Sequence, residues 1–150
     1  MKLNVGCGQD IRNTNEWVHL DRNPQHHDVR PIDIDDNGLR MFDDNSFEDV
    51  LCKGCLNEFK TDVVAVMNEF WRVLKPNGVL DITVAVVDNG LGPYRDPLAH
   101  RYLHSDWVQY FFIEGKWATS GKGIGFIGYF TLLENSVGGE VHHVVLKALK

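Results

Sequence analysis

Four strand-forming residues, Lys2-Leu3-Asn4-Val5, run directly into Gly6-Cys7-Gly8, and thirteen residues beyond Gly8 a second β-rich run, Trp17 to Leu20, ends on Asp21. This pairing constrains the fold more than any other feature of the chain. Glycine has no Cβ and takes up positive φ readily, so a strand ending on Gly-x-Gly turns sharply and lets a ligand approach the backbone. In an open α/β sheet the two strand ends fall at the carboxyl edge, where ligands bind. A carboxylate there accepts hydrogen bonds from vicinal ribose hydroxyls, each charge-assisted and worth about 1.5–3 kcal/mol.

Five further β-rich runs follow, at Val29 to Ile34, Phe47 to Cys52, Val79 to Val86, Ile124 to Leu133 and Val141 to Leu149, giving about seven strands in all. Two segments have helical periodicity. Thr61 to Leu74 gathers Val63, Val64, Met67, Phe70, Trp71 and Leu74 on one face, with Thr61 or Asp62 as N-cap and Pro76-Asn77-Gly78 as the stop. Ser105 to Glu114 opens on Ser-Asp and turns Trp107, Val108, Phe111 and Phe112 inward. Gly138-Gly139 between the last two runs suits an antiparallel hairpin. The earlier runs lack hairpin turns and Val79 to Val86 follows a helix, so that part is expected to be parallel. The whole is read as one domain, residues 1–150: a mostly parallel, Rossmann-like α/β sheet with an antiparallel C-terminal hairpin.

Parallel strands need a crossover of about a dozen residues, usually a helix. Gln9 to Glu16 and Arg22 to Asp28 are short, polar and rich in Asn, so both crossovers are expected to be nearly free of helix and one face of the sheet poorly covered. Parallel sheets are normally buried on both faces, and a second subunit, making a homodimer, is expected to cover the bare one.

Dinucleotide folds place a third glycine where this chain has Ile11, on a helix whose N-terminus holds a pyrophosphate. No good helix follows here, so a nicotinamide dinucleotide is disfavoured, and a nucleoside with an amino-acid tail suits the turn better. The net charge of -6, with no basic run, argues against a nucleic-acid partner. No stretch approaches the roughly 18 apolar residues of a membrane span, and the N-terminus lacks the apolar region of a signal peptide, so a cytoplasmic protein without membrane contact is expected.

In these motifs the chain resembles the class I S-adenosylmethionine-dependent methyltransferases, with the type 11 branch in view. "LNVGCGQD" resembles the first motif of that family, "WVHLDRNP" its second strand with the ribose-binding acid, and "PIDID" its third strand. "FDDNSFEDVLCKGCLNEF" is similar to its run into strand four, and "MNEFWRVLKPNGVLDITV" to its helix, turn and strand five. The resemblance implies S-adenosylmethionine as cofactor, S-adenosylhomocysteine as product, and no metal. It places Gly6, Cys7 and Gly8 along the methionine and ribose, Asp21 with its neighbour Arg22 at the ribose, and Asp33 and Ile34 at the adenine, Asp35 competing with Asp33. Lys53, Gly54 and Cys55 then lie beside the sulfonium.

The chain also departs from that pattern. Asp10 stands at the third glycine, and Cys55-Leu56-Asn57-Glu58-Phe59 keeps only the Glu of "H-V-L-E-H". The expected acceptor is a small molecule or sugar-like compound, and a hydroxyl acceptor needs a base. His100 is the first candidate, with Tyr102 and His104 behind it, because the segment after strand five often overlies the acceptor pocket. A catalytically silent module that keeps the fold is the alternative. Cys52-Lys53-Gly54-Cys55 has C-x-x-C spacing, but lacks the second Cys/His pair of a zinc site. His26-His27 and His142-His143 read as solvent or strand-edge residues, the latter pair on opposite faces of a strand.

Overall fold

The computed structural model describes residues 1–150. Seven strands form one sheet: β1 (Lys2–Val5), β2 (Trp17–Asp21), β3 (Val29–Pro31), β4 (Phe47–Lys53), β5 (Leu74–Ala85), β6 (Phe130–Gly138) and β7 (Val141–Ala148). Their order is β3-β2-β1-β4-β5-β7-β6. Strands β1 to β5 pair in parallel, while β7 runs antiparallel between β5 and β6. The expected sheet, with its antiparallel end, is the observed one. The hairpin is tight: Gly138 pairs with Val141, and Gly139 takes φ +60.

Helix α2 (Val63–Val73) lies within the expected span, capped by Asp62, whose carboxylate accepts from the Val64 and Ala65 amides at 2.7 and 3.3 Å. Its buried residues Val66, Met67, Phe70 and Val73 join Leu3, Val5, Leu20, Val50, Cys52, Leu80, Ile82 and Leu146 in one core. Burying a side chain of this size contributes about 1.5–3 kcal/mol. Arg72 ties α2 to the loop before β4: its guanidinium donates to Glu69, to Asp44 and to the Leu39 and Phe42 carbonyls.

The bonds from Arg72 hold the Glu69 carboxyl below its usual range, against the opposing push of burial. A lowered folded-state pKa means stability that is present above the unfolded value and lost as pH falls through the folded one. Glu69→Gln is therefore expected to cost about 1–2 kcal/mol at pH 7 and progressively less in acid below the usual Glu range. Urea midpoints of the two proteins across that range check this; a gap that stays constant with pH would refute it.

Several element boundaries differ from expectation. The third strand stops at Pro31; Asp33 is the N-cap of a four-residue helix, α1 (Ile34–Asn37), so Asp33 and Ile34 are not strand residues. The stretch 124–129 is loop, and β6 starts at Phe130 and runs to Gly138. A 3-10 helix, Ser105–Tyr110, replaces the expected helix to Glu114, and a short helix α3 (Ala118–Gly123) follows that periodicity does not reveal.

Both early crossovers lack helix, as expected. The loop over the first bare face is held by buried polar groups instead of apolar packing. Asn4 donates to the Asp10 carbonyl at 2.9 Å, and His19 Nε2 lies 3.2 Å from the Arg12 amide; both residues are 1% exposed. The rest of that face carries polar pairs: Lys2 with Asp49 at 2.7 Å, and His143 between Asp81 and Glu134 at 2.9 and 3.0 Å.

Candidate active site

Val5 pairs with Leu20 on one side and Cys52 on the other, so β1, β2 and β4 end in line and release Gly6, Asp21 and Gly54 at one edge. Gly6, Gly8 and Gly54 have φ of +61, +53 and +70, which suits glycine alone at little strain. A cleft opens between these turns and the start of α1. Gly6, Gly8, Asp21, Arg22, Asp33, Ile34, Gly54 and Cys55 line it, and its cavity volume is about 180 Å³. That is smaller than most small-molecule sites, roughly 300–1,000 Å³, so a ligand here lies partly in the open mouth of the cleft. Of the residues expected to meet the cofactor, all but Cys7 and Lys53 line this cleft.

Asp21 organises the glycine turn. One carboxylate oxygen accepts from the Gly8 amide at 2.9 Å and the other from the Asn23 amide at 2.8 Å. Each carboxylate oxygen has two lone pairs, so one site on each is still able to receive a hydroxyl. A Cβ at Gly8 would meet nothing within 4 Å, leaving open space on the cleft side of the turn. These features fit a ribose diol and the backbone-hugging chain attached to it.

Asp33 and Asp35, competitors in the sequence, have separate places. Asp33 lines the cleft and accepts from the Asp35 amide at 2.9 Å. Asp35 accepts from the Lys60 and Thr61 amides at 2.9 and 2.7 Å; burial pushes its carboxyl up, but these bonds hold it below its usual range. It clamps the loop after β4 and does not line the cleft.

Glu58 and Phe59 also line the cleft, which the sequence reading of this stretch did not assign. Glu58 Oε2 receives Arg22 at 2.9 Å, so an ion pair spans from the end of β2 to the loop after β4. Burial pushes the Glu58 carboxyl above its usual range, with Arg22 and His100 opposing and Asp96 and Asp21 reinforcing the rise. The signal was the retained Glu of the departed motif. Asn57, 3% exposed, is a second unassigned residue: its side chain donates to the Ala85 and Arg101 carbonyls, and its own carbonyl accepts from the His100 amide at 2.7 Å.

The remaining expected residues lie elsewhere. Cys7 is buried, its amide bonded to the Leu20 carbonyl and its thiol pushed up to about 11, mainly by burial. Lys53 is exposed. His100 is exposed beside Asn57; Tyr102 stacks on Tyr94 with ring centroids 4.4 Å apart; His104 caps the 3-10 helix at Ser105. None of these three lines the cleft. His142, read as an edge residue, is fully buried and accepts from the Trp107 indole at 3.1 Å, while its neighbour His143 faces the other side of the sheet. The correction follows from its place opposite the 3-10 helix, which brings Trp107 over β7. His26, His27 and Asp28 bring one ligand atom each within 4.8 Å of one another on an exposed turn.

Residues 10–82 match the profile of a family described as a methyltransferase domain. Among solved structures, a SAM-dependent methyltransferase from Archaeoglobus fulgidus is similar over 97% of this chain and 85% of its own, at 12% identity and TM-score 0.67. The methyltransferase complexed with the Trm112 activator in Haloferax volcanii is similar over 99% and 82%, at 15% identity and TM-score 0.66. The Burkholderia thailandensis 1,6-didemethyltoxoflavin-N1-methyltransferase, with 1,6-didemethyltoxoflavin and S-adenosylhomocysteine bound, is similar over 99% and 71%, at 15% identity and TM-score 0.62. No curated protein matches the chain. No helix is long and apolar enough to cross a membrane.

Proposed function

We propose that this chain, which matches a methyltransferase-domain family over residues 10–82 and shares the fold of S-adenosylmethionine-dependent methyltransferases, is a class I member of that family, binds S-adenosylmethionine in the Gly6–Asp21 cleft and methylates a small acceptor. The observation that carries the reading is the convergence of Gly6, Gly8, Asp21, Asp33 and Gly54, from four strand ends, on one cleft. Bound S-adenosylmethionine supplies a methyl group on a sulfonium, an electrophile that needs no further activation. The work of the chain is then alignment, which supplies up to about 7–11 kcal/mol in favourable intramolecular cases. Asp21 holds the ribose hydroxyls, Asp33 and Ile34 flank the adenine, and the glycine turns let the amino-acid tail lie along the backbone. The Arg22–Glu58 pair ties the end of β2 to the loop after β4 along the wall of the cleft.

Calorimetric titration of S-adenosylmethionine and S-adenosylhomocysteine into the purified protein tests the cofactor; saturable heat is expected with both, and none with either ligand in folded protein would overturn the reading. For a hydroxyl acceptor, we assign the base to His100, whose amide donates to the carbonyl of Asn57, the residue before Glu58. His100→Ala is then expected to lower methyl transfer by about 10²–10⁴-fold with cofactor affinity retained. The exposure of His100, Tyr102 and His104 outside the cleft favours a second reading, a binding module without turnover. Accumulation of S-adenosylhomocysteine with an acceptor pool rejects that reading.

A second copy covering the face opposite α2 remains part of the proposal, resting on the partly exposed Val79, Ala85 and Val145. The ion pairs beside them let that face meet water, so light scattering decides: a dimer mass supports the second copy and a monomer mass discards it.

A further inference from the structure

One pair of thiols at the cleft is given no part above in holding the cofactor. Cys52 in β4 and Cys55, three residues on, are free thiols whose Sγ atoms are 3.0 Å apart. A disulfide bond is about 2.05 Å long, so roughly 1 Å of approach would close one. The Gly54 turn between them, at φ +70, is what folds Cys55 back against Cys52.

The two thiols differ in access. Cys52 is fully buried, whereas Cys55 is 7% exposed and forms part of the cleft wall, with its Sγ also 3.3 Å from the Val5 carbonyl. Cys7, the third thiol, has its hydrogen bond to the Gly8 carbonyl and none to either of the others. The cleft is lined by the carboxylates of Asp21, Asp33 and Glu58 against the single guanidinium of Arg22. A cationic reagent is therefore favoured there over an anionic one.

We propose that Cys52 and Cys55 form a dithiol site, entered through the cleft, that reduces small cationic disulfides and closes to an intramolecular disulfide. The Cys55 thiolate attacks one sulfur of the reagent and expels one thiol. Cys52 then gives up its proton, attacks the Cys55 sulfur and expels the second thiol. One protein disulfide and two small thiols result, and two electrons pass from protein to reagent. Attack requires the thiolate. The contact with Cys52 and burial both hold the Cys55 thiol well above its usual range, so the reaction accelerates as pH rises.

The site itself stands apart from the methyltransferase reading; only the protection arm of the test rests on it. Reduced protein is incubated with cystamine at pH 8.5 and mapped by mass spectrometry without reductant. Loss of two thiols, with Cys52 and Cys55 joined and no adduct retained, is expected, at least tenfold faster than with oxidised glutathione. Cys52→Ser is expected to stop at a mixed disulfide of Cys55 with cysteamine, the other cysteamine being released. Intact thiols after long exposure, a bridge to Cys7, or oxidised glutathione reacting as fast would overturn the proposal. S-adenosylhomocysteine is expected to slow the reaction at least tenfold. If the disulfide forms at the same rate with that ligand present, the dithiol site stands and the nucleoside reading of the cleft fails.

Discussion

Asp21→Ala is expected to weaken S-adenosylmethionine binding by about a hundredfold or more. Two charge-assisted bonds to ribose hydroxyls are worth at least about 1.5 kcal/mol each, and the lower bound of about 3 kcal/mol already gives that factor. The geometry adds a second reason. Asp21 also accepts from the Gly8 amide, so its removal frees the turn that forms one wall of the cleft. Asp21→Asn separates the two effects: one amide oxygen still accepts from Gly8 or a hydroxyl, but the charge is gone, and a loss nearer tenfold is expected. Titration calorimetry of the three proteins, with thermal melts to show that each is folded, checks this. An Asp21→Ala variant that melts normally and binds with unchanged affinity would place the nucleoside somewhere other than this cleft.

Legibility in the sequence followed the range of the interaction that decides each residue's place. Helix α2 was readable because Val64, Met67 and Phe70 recur at helical spacing behind an Asp cap, and each of these signals acts within one or two turns. Gly6, Gly8 and Asp21 were readable because strand ends in a parallel sheet fall at one edge, so two local motifs meet without knowledge of the side chains between. The path of Asp33 was less so. The run Val29 to Ile34 looks like strand to its end, but Pro31 has no amide to donate and the Asp33 side chain caps a turn, so local hydrogen bonding ends the ladder early. His142 was misplaced although the alternation of β7 puts it in phase with the buried Val144 and Leu146; what its strand does not foretell is its partner, the Trp107 indole thirty-five residues away. The Arg22–Glu58 pair is likewise a contact across thirty-six residues.

Gly6→Ala is expected to be more damaging than Gly8→Ala, although both glycines lie in the left-handed region and in the same motif. An L-residue in that conformation costs roughly 1–2 kcal/mol. At Gly8 that is the whole penalty, since the new methyl group enters open space. At Gly6 it would stand 2.6 Å from Cys55 Cβ and 2.7 Å from Cys55 Sγ, closer than real contacts allow. Overpacking a fitted site adds about 1–3 kcal/mol, for a total of roughly 2–5 kcal/mol. Relief by displacement would push Cys55 into the cleft, so cofactor binding should fall beyond detection even where the fold survives. Cys55→Ala leaves the offending Cβ in place and should not rescue Gly6→Ala, whereas Cys55→Gly removes it and should recover part of the melting temperature. Urea denaturation of Gly6→Ala alone and with each Cys55 change tests the contact. Equal rescue by Cys55→Ala and Cys55→Gly would mean that the sulfur, not the Cβ, sets the clash, and no rescue by either would mean that backbone strain at Gly6 accounts for the loss.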